Sequence, residues 1–198
     1  MDQRTGSASL GCPERSIYFI ANAQLARYYG LPISCVAGTT DSKTVDIQSG
    51  YEKAISIFAA ALAGYNIMTS HIGTLEAVTT ISYEQSVIDN EIYGMVYRIL
   101  RGSEISENTL NEAFDVISKV GPLGRHYLAQ EHTRKYLPEV WLNVVSDRRN
   151  WGIWSKTGKK GALEHATDVV AKILSEHRPE PISEGIRNQL SEIVKESV

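Results

Sequence analysis

Tyr28-Tyr29-Gly30-Leu31-Pro32-Ile33-Ser34-Cys35-Val36-Ala37-Gly38 is the stretch that decides how this chain is read. A helical pattern stops at a glycine, a short apolar and partly β-branched run follows, and a second glycine opens a polar loop. Upstream, Pro13 is tolerated in a first helical turn, and Glu14 complements the positive end of the helix dipole. Ile17, Ile20, Ala21, Leu25 and Tyr28 then recur at helical spacing until Gly30 stops the helix. Residues 31–37 therefore predict a buried strand, and the aperiodic polar stretch 38–46 predicts a loop. The same order repeats. A helix over about 47–62 carries Tyr51, Ala54, Ile55, Phe58 and Leu62 on one face and ends at Gly64. A strand over 66–70 leads into His71, Ile72 and Gly73. A third helix, over about 82–100, shows Tyr83, Val87, Met95 and Ile99 at roughly helical intervals, with Gly102 just beyond it. Short strands alternating with longer helices imply parallel strands with crossover helices, an α/β layered or barrel architecture.

Past Gly102 the alternation is lost. Ser106 is a good N-cap for a helix with Leu110, Ala113, Phe114 and Ile117, and 121–124 breaks it. An aromatic stretch with Tyr136, Trp141, Trp151 and Trp154 comes next. An amphipathic helix with Leu163, Ala166, Val170, Ile173 and Leu174 follows, and a last helix carries Ile186, Leu190, Ile193 and Val194. No linker rich in Gly, Ser or Pro divides the 198 residues, so 1–198 reads as one domain with a helical tail from about 103. A complete eight-fold barrel takes about 250 residues. Two or three strands are legible here, so the chain reads as the C-terminal part of something larger.

Composition narrows the function. The chain is 42% apolar and 22% charged, enough for a real core. With 20 basic and 23 acidic side chains spread along it and a net charge of −3, no phosphate-tracking surface is expected, so nucleic acid is not a partner. No run approaches the roughly 18 apolar residues of a spanning helix, so a membrane is not expected either. Two cysteines, Cys12 and Cys35, make no disulfide scaffold and fit a reducing cytoplasm. The first residues lack the basic-then-apolar layout of a signal peptide.

The loop 38–48 offers hydroxyls, carboxylates and an ammonium at the C-terminal end of an expected strand, where parallel α/β folds carry their binding loops. Thr39, Thr40, Asp41 and Lys43 are the substrate-binding candidates; a solvated loop with Asp46 as a helix N-cap is the plainer reading. His71 stands just past the next strand, where an imidazole acts as a general base or hydrogen-bond donor, or is simply structural. On the third helix, Gln85 and Asp89 share a face, as do Glu84 and Glu91. A solvated face is expected there, ahead of a metal or cation site. His126 and Glu131-His132 do not match the spacing of the helical zinc motifs. Cys35 reads as a small core residue, and Cys12 has no base beside it in sequence. By themselves these residues describe an α/β enzyme fragment with an unassigned reaction.

A resemblance adds the reaction. The run Gly38-Thr39-Thr40-Asp41-Ser42-Lys43 with Asp46, Gln48, Gly50, Tyr51, Glu52 and Lys53 resembles the trimethylamine:corrinoid methyltransferase family. So do Ser82-Tyr83-Glu84-Gln85, Ile88-Asp89-Asn90-Glu91-Ile92 and Gly94-Met95-Val96. Asp2, Arg4-Thr5-Gly6, Gly11 and Pro13-Glu14 resemble the family's upstream loop, and Glu131-His132-Thr133, Asp147-Arg148-Arg149, Trp154 and Gly158 its tail. The resemblance implies the C-terminal part of a TIM-type (β/α)8 barrel with a helical C-terminal extension. It implies methyl transfer from a methylated amine to the Co(I) of a corrinoid (cobalamin) carried by a cognate corrinoid protein, with no cofactor bound directly and no metal ligands. A homo-oligomer is compatible with it. Some members use pyrrolysine; this sequence has none near 37–40, which favours a quaternary amine such as glycine betaine or a carnitine-like compound. The implied site keeps His71 as the catalytic candidate and Thr39, Thr40, Asp41, Lys43 and Tyr83 as substrate-binding candidates. Asp41 or Asp46 would balance a cationic amine, and Tyr51, Tyr65 and Tyr83 offer aromatic faces. Because the chain lacks the portion that supplies the family's first strands, Met1 is expected to be an internal methionine. The alternative is a truncated, non-catalytic fragment or a module that only docks the corrinoid protein.

Overall fold

The structure is a computed structural model that describes residues 1–69 and 71–196. Helix α1 (Pro13–Tyr29) ends at Gly30, whose φ of 65° lets its N–H reach back to the carbonyls of Ala26 and Arg27. A side chain with a Cβ resists that left-handed turn. Strand β1 (Ser34–Cys35) leads to the loop before α2 (Ile47–Ala63), which opens with a capping box between Asp46 and Ser49 and closes at Gly64. Strand β2 (Ile67–Met68) pairs with β1 in parallel, Ser34 opposite Ile67 and Cys35 opposite Met68. The pairing is shorter than the apolar runs suggest. Pro32 has no N–H to donate, and Gly38 turns away at a φ of 75°.

A hairpin that the sequence did not signal follows: β3 (Thr74–Leu75) pairs antiparallel with β4 (Thr80–Ile81). Its turn holds Glu76, Ala77 and Val78 at φ of 46°, 50° and 80°, all in the left-handed region. None of the three is glycine, and Val78 is β-branched, so the turn carries backbone strain. Helix α3 (Tyr83–Arg101) is capped by Ser82, which accepts from the Gln85 N–H. Beyond it lie α4 (Glu107–Val120), α5 (Glu131–Tyr136), α6 (Trp151–Trp154), α7 (Ala162–Glu176) and α8 (Glu184–Glu196). The molecule is thus mostly helical with two small sheets, in keeping with an α/β class. Among the described residues no helix is long and apolar enough to cross a membrane.

The core lies between the parallel pair and α1, α2 and α3: Phe19, Cys35, Ala37, Ile57, Ala60, Ala61 and Val96, with Tyr65, Met68, Ile92 and Tyr93 packed against them. Small side chains on α2 let the helix approach the strands closely. Phe19 meets Tyr65 edge-to-face at 5.9 Å, and the Tyr65 hydroxyl donates to the Phe19 carbonyl at 3.0 Å.

The helix faces depart from the sequence reading. On α2, Tyr51, Ile55, Phe58 and Leu62 are exposed, and the buried side is Ser49, Lys53, Ser56, Ile57, Ala60, Ala61 and Ala63. On α1, Ile17, Ile20, Leu25 and Tyr28 are exposed and Ser16, Phe19 and Ala23 are buried. On α3, Tyr83, Met95 and Ile99 are exposed, whereas Gln85, Asp89, Glu91 and Val96 are buried. A helix with apolar side chains on both sides gives a period without giving a direction. What turned α2 and α3 is the polar partnership their inner faces find in the folded chain.

The tail is fastened to α3. The Glu91 carboxylate accepts from the N–H groups of Val144 (2.7 Å), Val145 (2.6 Å) and Ser146 (3.1 Å) and from the Ser146 hydroxyl. Burial alone would raise this carboxyl; the Ser146 hydroxyl and those three N–H groups outweigh it and hold it below the usual glutamate value. Beside it the Trp141 ring covers Gly94, where an added Cβ would sit 2.1 Å from a ring carbon. Helix α7 packs on α3 with Ala166 buried, and the side chains of α8 are exposed over 184–195.

Candidate functional site

Parallel pairing brings the C-terminal ends of β1 and β2 to one side of the molecule, with the loop 36–46 after β1 and the segment 69–81 after β2. These segments hold every site candidate of the sequence except Tyr83, which opens α3. They touch directly: the Glu76 N–H donates to the Ser42 carbonyl at 2.7 Å and the Ala77 N–H to the Thr40 carbonyl at 2.8 Å. The strained turn is therefore held down on the loop it faces.

Thr39 and Thr40 are buried and spend their hydroxyls on the protein. The Thr39 hydroxyl donates to the Leu10 carbonyl (2.8 Å) and accepts from the Arg15 guanidinium (2.7 Å), which also reaches the Val36 carbonyl (2.9 Å). The Thr40 hydroxyl donates to Glu52 at 2.6 Å, and the Asp41 N–H donates to the same oxygen at 2.8 Å. The Asp41 carboxylate accepts from the N–H groups of Leu10 (2.8 Å) and Gly11 (3.1 Å). Gly11 is packed so closely that a Cβ would lie 2.2 Å from the Glu52 carboxylate. Thr39 and Asp41 fasten the segment 9–11 across the loop, and Thr40 ties the loop to Glu52 on α2. Asp46 accepts from Ser42 and Thr44 while capping α2, and the Ser49 N–H is the main reason its carboxyl sits below the ordinary aspartate value. Lys43 is exposed, with its ammonium donating to the Asp41 carbonyl at 2.8 Å.

His71 is half-buried at the end of β2. Its carbonyl accepts from Thr74, through both N–H (3.1 Å) and hydroxyl (2.7 Å), and its imidazole makes no hydrogen bond to the described residues. Tyr83 is exposed at the start of α3, and Tyr51 is exposed on the outer side of α2. Of the candidates, Lys43 and Tyr83 are exposed and His71 is half-buried, and Thr39, Thr40 and Asp41 build the loop that carries Lys43. Burial pushes the Cys35 thiol up to about 11, with Arg15 opposing, so it is protonated and inert at neutral pH.

Sequence reasoning missed the centre of this arrangement. The Lys53 ammonium lies 2.7 Å from the Asp89 carboxylate, and the two side chains are 0% and 1% exposed. Lys53 also donates to the Gly38 carbonyl (2.9 Å) and the His71 carbonyl (3.3 Å). Asp89 accepts from the Gly73 N–H (2.8 Å) and the Gln85 side-chain amide (2.7 Å). Burial pulls the lysine down and pushes the aspartate up from their ordinary values, and their mutual attraction opposes both. The Gln85–Asp89 spacing was legible, but as a solvated face; the structure makes it an interior one. Asp89 and Glu91 are committed to different partners, and no group of His, Cys, Asp and Glu suited to a metal occurs among the described residues.

The family model described as Trimethylamine methyltransferase (MTTB) matches residues 1–197. The chain belongs to the trimethylamine methyltransferase family. It is 44% identical over 156 residues to glycine betaine methyltransferase of Desulfitobacterium hafniense (strain Y51), covering 78% of this chain and 32% of that protein. It is 37% identical to the trimethylamine methyltransferase MttB of Methanosarcina thermophila, over 93% of this chain and 38% of the relative. With the MttB of Desulfitobacterium hafniense (strain DSM 10664 / DCB-2) it shares 33% identity over 100% of this chain and 39% of the relative. The chain thus spans between 32% and 39% of the length of these three relatives.

Proposed function

We propose that this chain forms the C-terminal part of a (β/α)8-barrel methyltransferase that demethylates a quaternary amine, with glycine betaine as the first compound to test. The methyl group goes to a corrinoid on a partner protein. The observation that carries the reading is the family match across residues 1–197. The 44% identity to a glycine betaine methyltransferase supports the substrate class. The open rim, with Lys43, Thr44 and Glu76 exposed, fits a group brought from outside by another protein. The corrinoid's Co(I) supplies the electron pair that attacks the methyl carbon. As the N–CH3 bond breaks, its electrons return to nitrogen, and the positive charge of a quaternary amine is cancelled, so no proton is required.

The residues of this chain then bind and orient. His71 presents its imidazole to the substrate carboxylate, and Lys43 adds a cation at the same rim. Tyr83 offers an aromatic face to the ammonium head. The test is to incubate the complete methyltransferase that contains this chain with glycine betaine and Co(I) cobalamin and to follow dimethylglycine by NMR. Dimethylglycine formation that falls at least tenfold in His71→Ala is expected. A folded enzyme that yields none, but binds a corrinoid protein, would replace this reading with a docking role.

A further inference from the structure

We propose that Lys53 and Asp89 are positioning residues, the pair that fixes the pose of His71 against the loop after β1; this rests on the methyl-transfer reading for its kinetic consequence. Four segments meet at the pair. Lys53 comes from α2 and Asp89 from α3. The ammonium takes the Gly38 carbonyl at the end of β1 and the His71 carbonyl past the end of β2, while the carboxylate takes the Gly73 N–H. The pair therefore holds both strand-end loops in one frame, from beneath and out of solvent.

A buried ion pair is a poor way to stabilise a fold, because well-packed apolar side chains often do as well. What apolar side chains would not supply here is a donor for two carbonyls and an acceptor for an amide. That distinguishes orientation of backbone from bulk stability. The His71 imidazole has no hydrogen bond of its own to the described residues, so its place is set through its backbone. Neither Lys53 nor Asp89 reaches solvent, so neither touches substrate. Gln85 completes the frame: its amide N–H is committed to Asp89, and its buried carbonyl oxygen has no partner among the described residues.

Lys53→Met keeps the length of the stem and removes the ammonium. Asp89→Asn keeps the shape and removes the charge; rotation of the Gln85 amide would let its unpaired oxygen accept from the new side-chain amide. Both are made in the complete methyltransferase and measured at a temperature where circular dichroism shows them folded. The first readout is NMR: hydrogen exchange of the Gly73 amide and the His71 side-chain resonances, with Phe19 and Ile57 as controls. The second is kcat and KM for glycine betaine with Co(I) cobalamin. For Lys53→Met, Gly73 exchange should quicken at least tenfold, His71 should shift while Phe19 and Ile57 stay, and kcat should fall on the order of 100-fold with KM within about threefold. Asp89→Asn should move the same signals in the same directions by less, with Gly73 exchange quickened about threefold and kcat lowered on the order of tenfold. A folded variant with unmoved His71 and Gly73 signals, or with unchanged kcat, overturns the proposal. If Lys53→Met does not fold, Asp89→Asn decides by the same criteria. If the complete wild-type enzyme does not turn over, the methyl-transfer reading fails by itself, and the NMR arm still decides whether the pair positions His71.

Discussion

The two faces of α2 are built against ordinary expectation. Its inner face carries Ser49, Lys53 and Ser56 out of solvent, and its outer face leaves Ile47, Tyr51, Ile55, Phe58 and Leu62 in it. The charged residues of this 17-residue helix are Glu52 and Lys53, and both bond inward to the loop after β1. An outer face without charge and lined with large apolar groups is the kind of surface that other protein covers. The comparison teaches that burial here follows partnership. Lys53 is inside because a carboxylate and two carbonyls wait for it, and Phe58 is outside although it is the more hydrophobic.

The largest expected effect breaks the inner face. Replacing Asp89 by Leu strands a buried ammonium and should cost about 3–5 kcal/mol in denaturant unfolding. A loss under about 1 kcal/mol would mean that the pair is not closed as described. The next effect is on the neighbouring buried carboxylate. Glu91→Gln replaces one carboxylate oxygen by an amide N–H that must face at least one backbone donor, and should cost about 2 kcal/mol. Acid should act similarly. The folded carboxyl sits below the ordinary 4.5, so its contribution is complete above that value and is lost as pH falls through the lower folded one. The check is a urea series at pH 6, 4 and 3, in which Glu91→Gln should show a smaller loss over that range than wild type.

A smaller effect has the opposite sign. Val78→Gly relieves a β-branched residue at a φ of 80° and should stabilise by about 1 kcal/mol, after the entropy that glycine costs. A rise in the melting temperature is the readout; a fall would show that the Val78 side chain contributes more than its backbone strain removes. The smallest effect probes the outer face. Phe58→Ser should change the stability of the monomer by no more than about 0.5 kcal/mol. A cost of several kcal/mol would show that this face is covered in solution, and the comparison drawn above would then have to be redrawn.

Much of the framework was legible from local signals. Gly30 and Gly64 end α1 and α2, Ser82 and Ser106 start α3 and α4, and Asp46 caps α2, because turns and caps are decided by a few adjacent residues. The two parallel strands were legible too, since a short apolar run between a glycine and a polar loop has few other readings, but their ends were not: only Ser34–Cys35 and Ile67–Met68 pair. The β3–β4 hairpin was not, because its turn of Glu76, Ala77 and Val78 contains none of the residues that favour a left-handed backbone. Of the candidate site, His71 and the loop 38–46 were found by their position after strands. Lys53 was not: a lysine in the middle of a helix reads as solvated until its partner, Asp89 on α3, is brought to it.

The sequence by itself determined where helices begin and end, that parallel strand ends carry the polar loops, and which family the chain resembles. Each of these rests on adjacent residues or on strings of them. Only the tertiary structure decided which side of each helix faces in and which candidate hydroxyls are spent on the fold. Those choices depend on hydrogen bonds between residues tens of positions apart, such as Lys53 to Asp89, Thr39 to Leu10 and Glu91 to Val145. A periodic pattern records that a helix has an apolar side. When apolar residues surround it, the buried polar groups and the partners they require choose the direction.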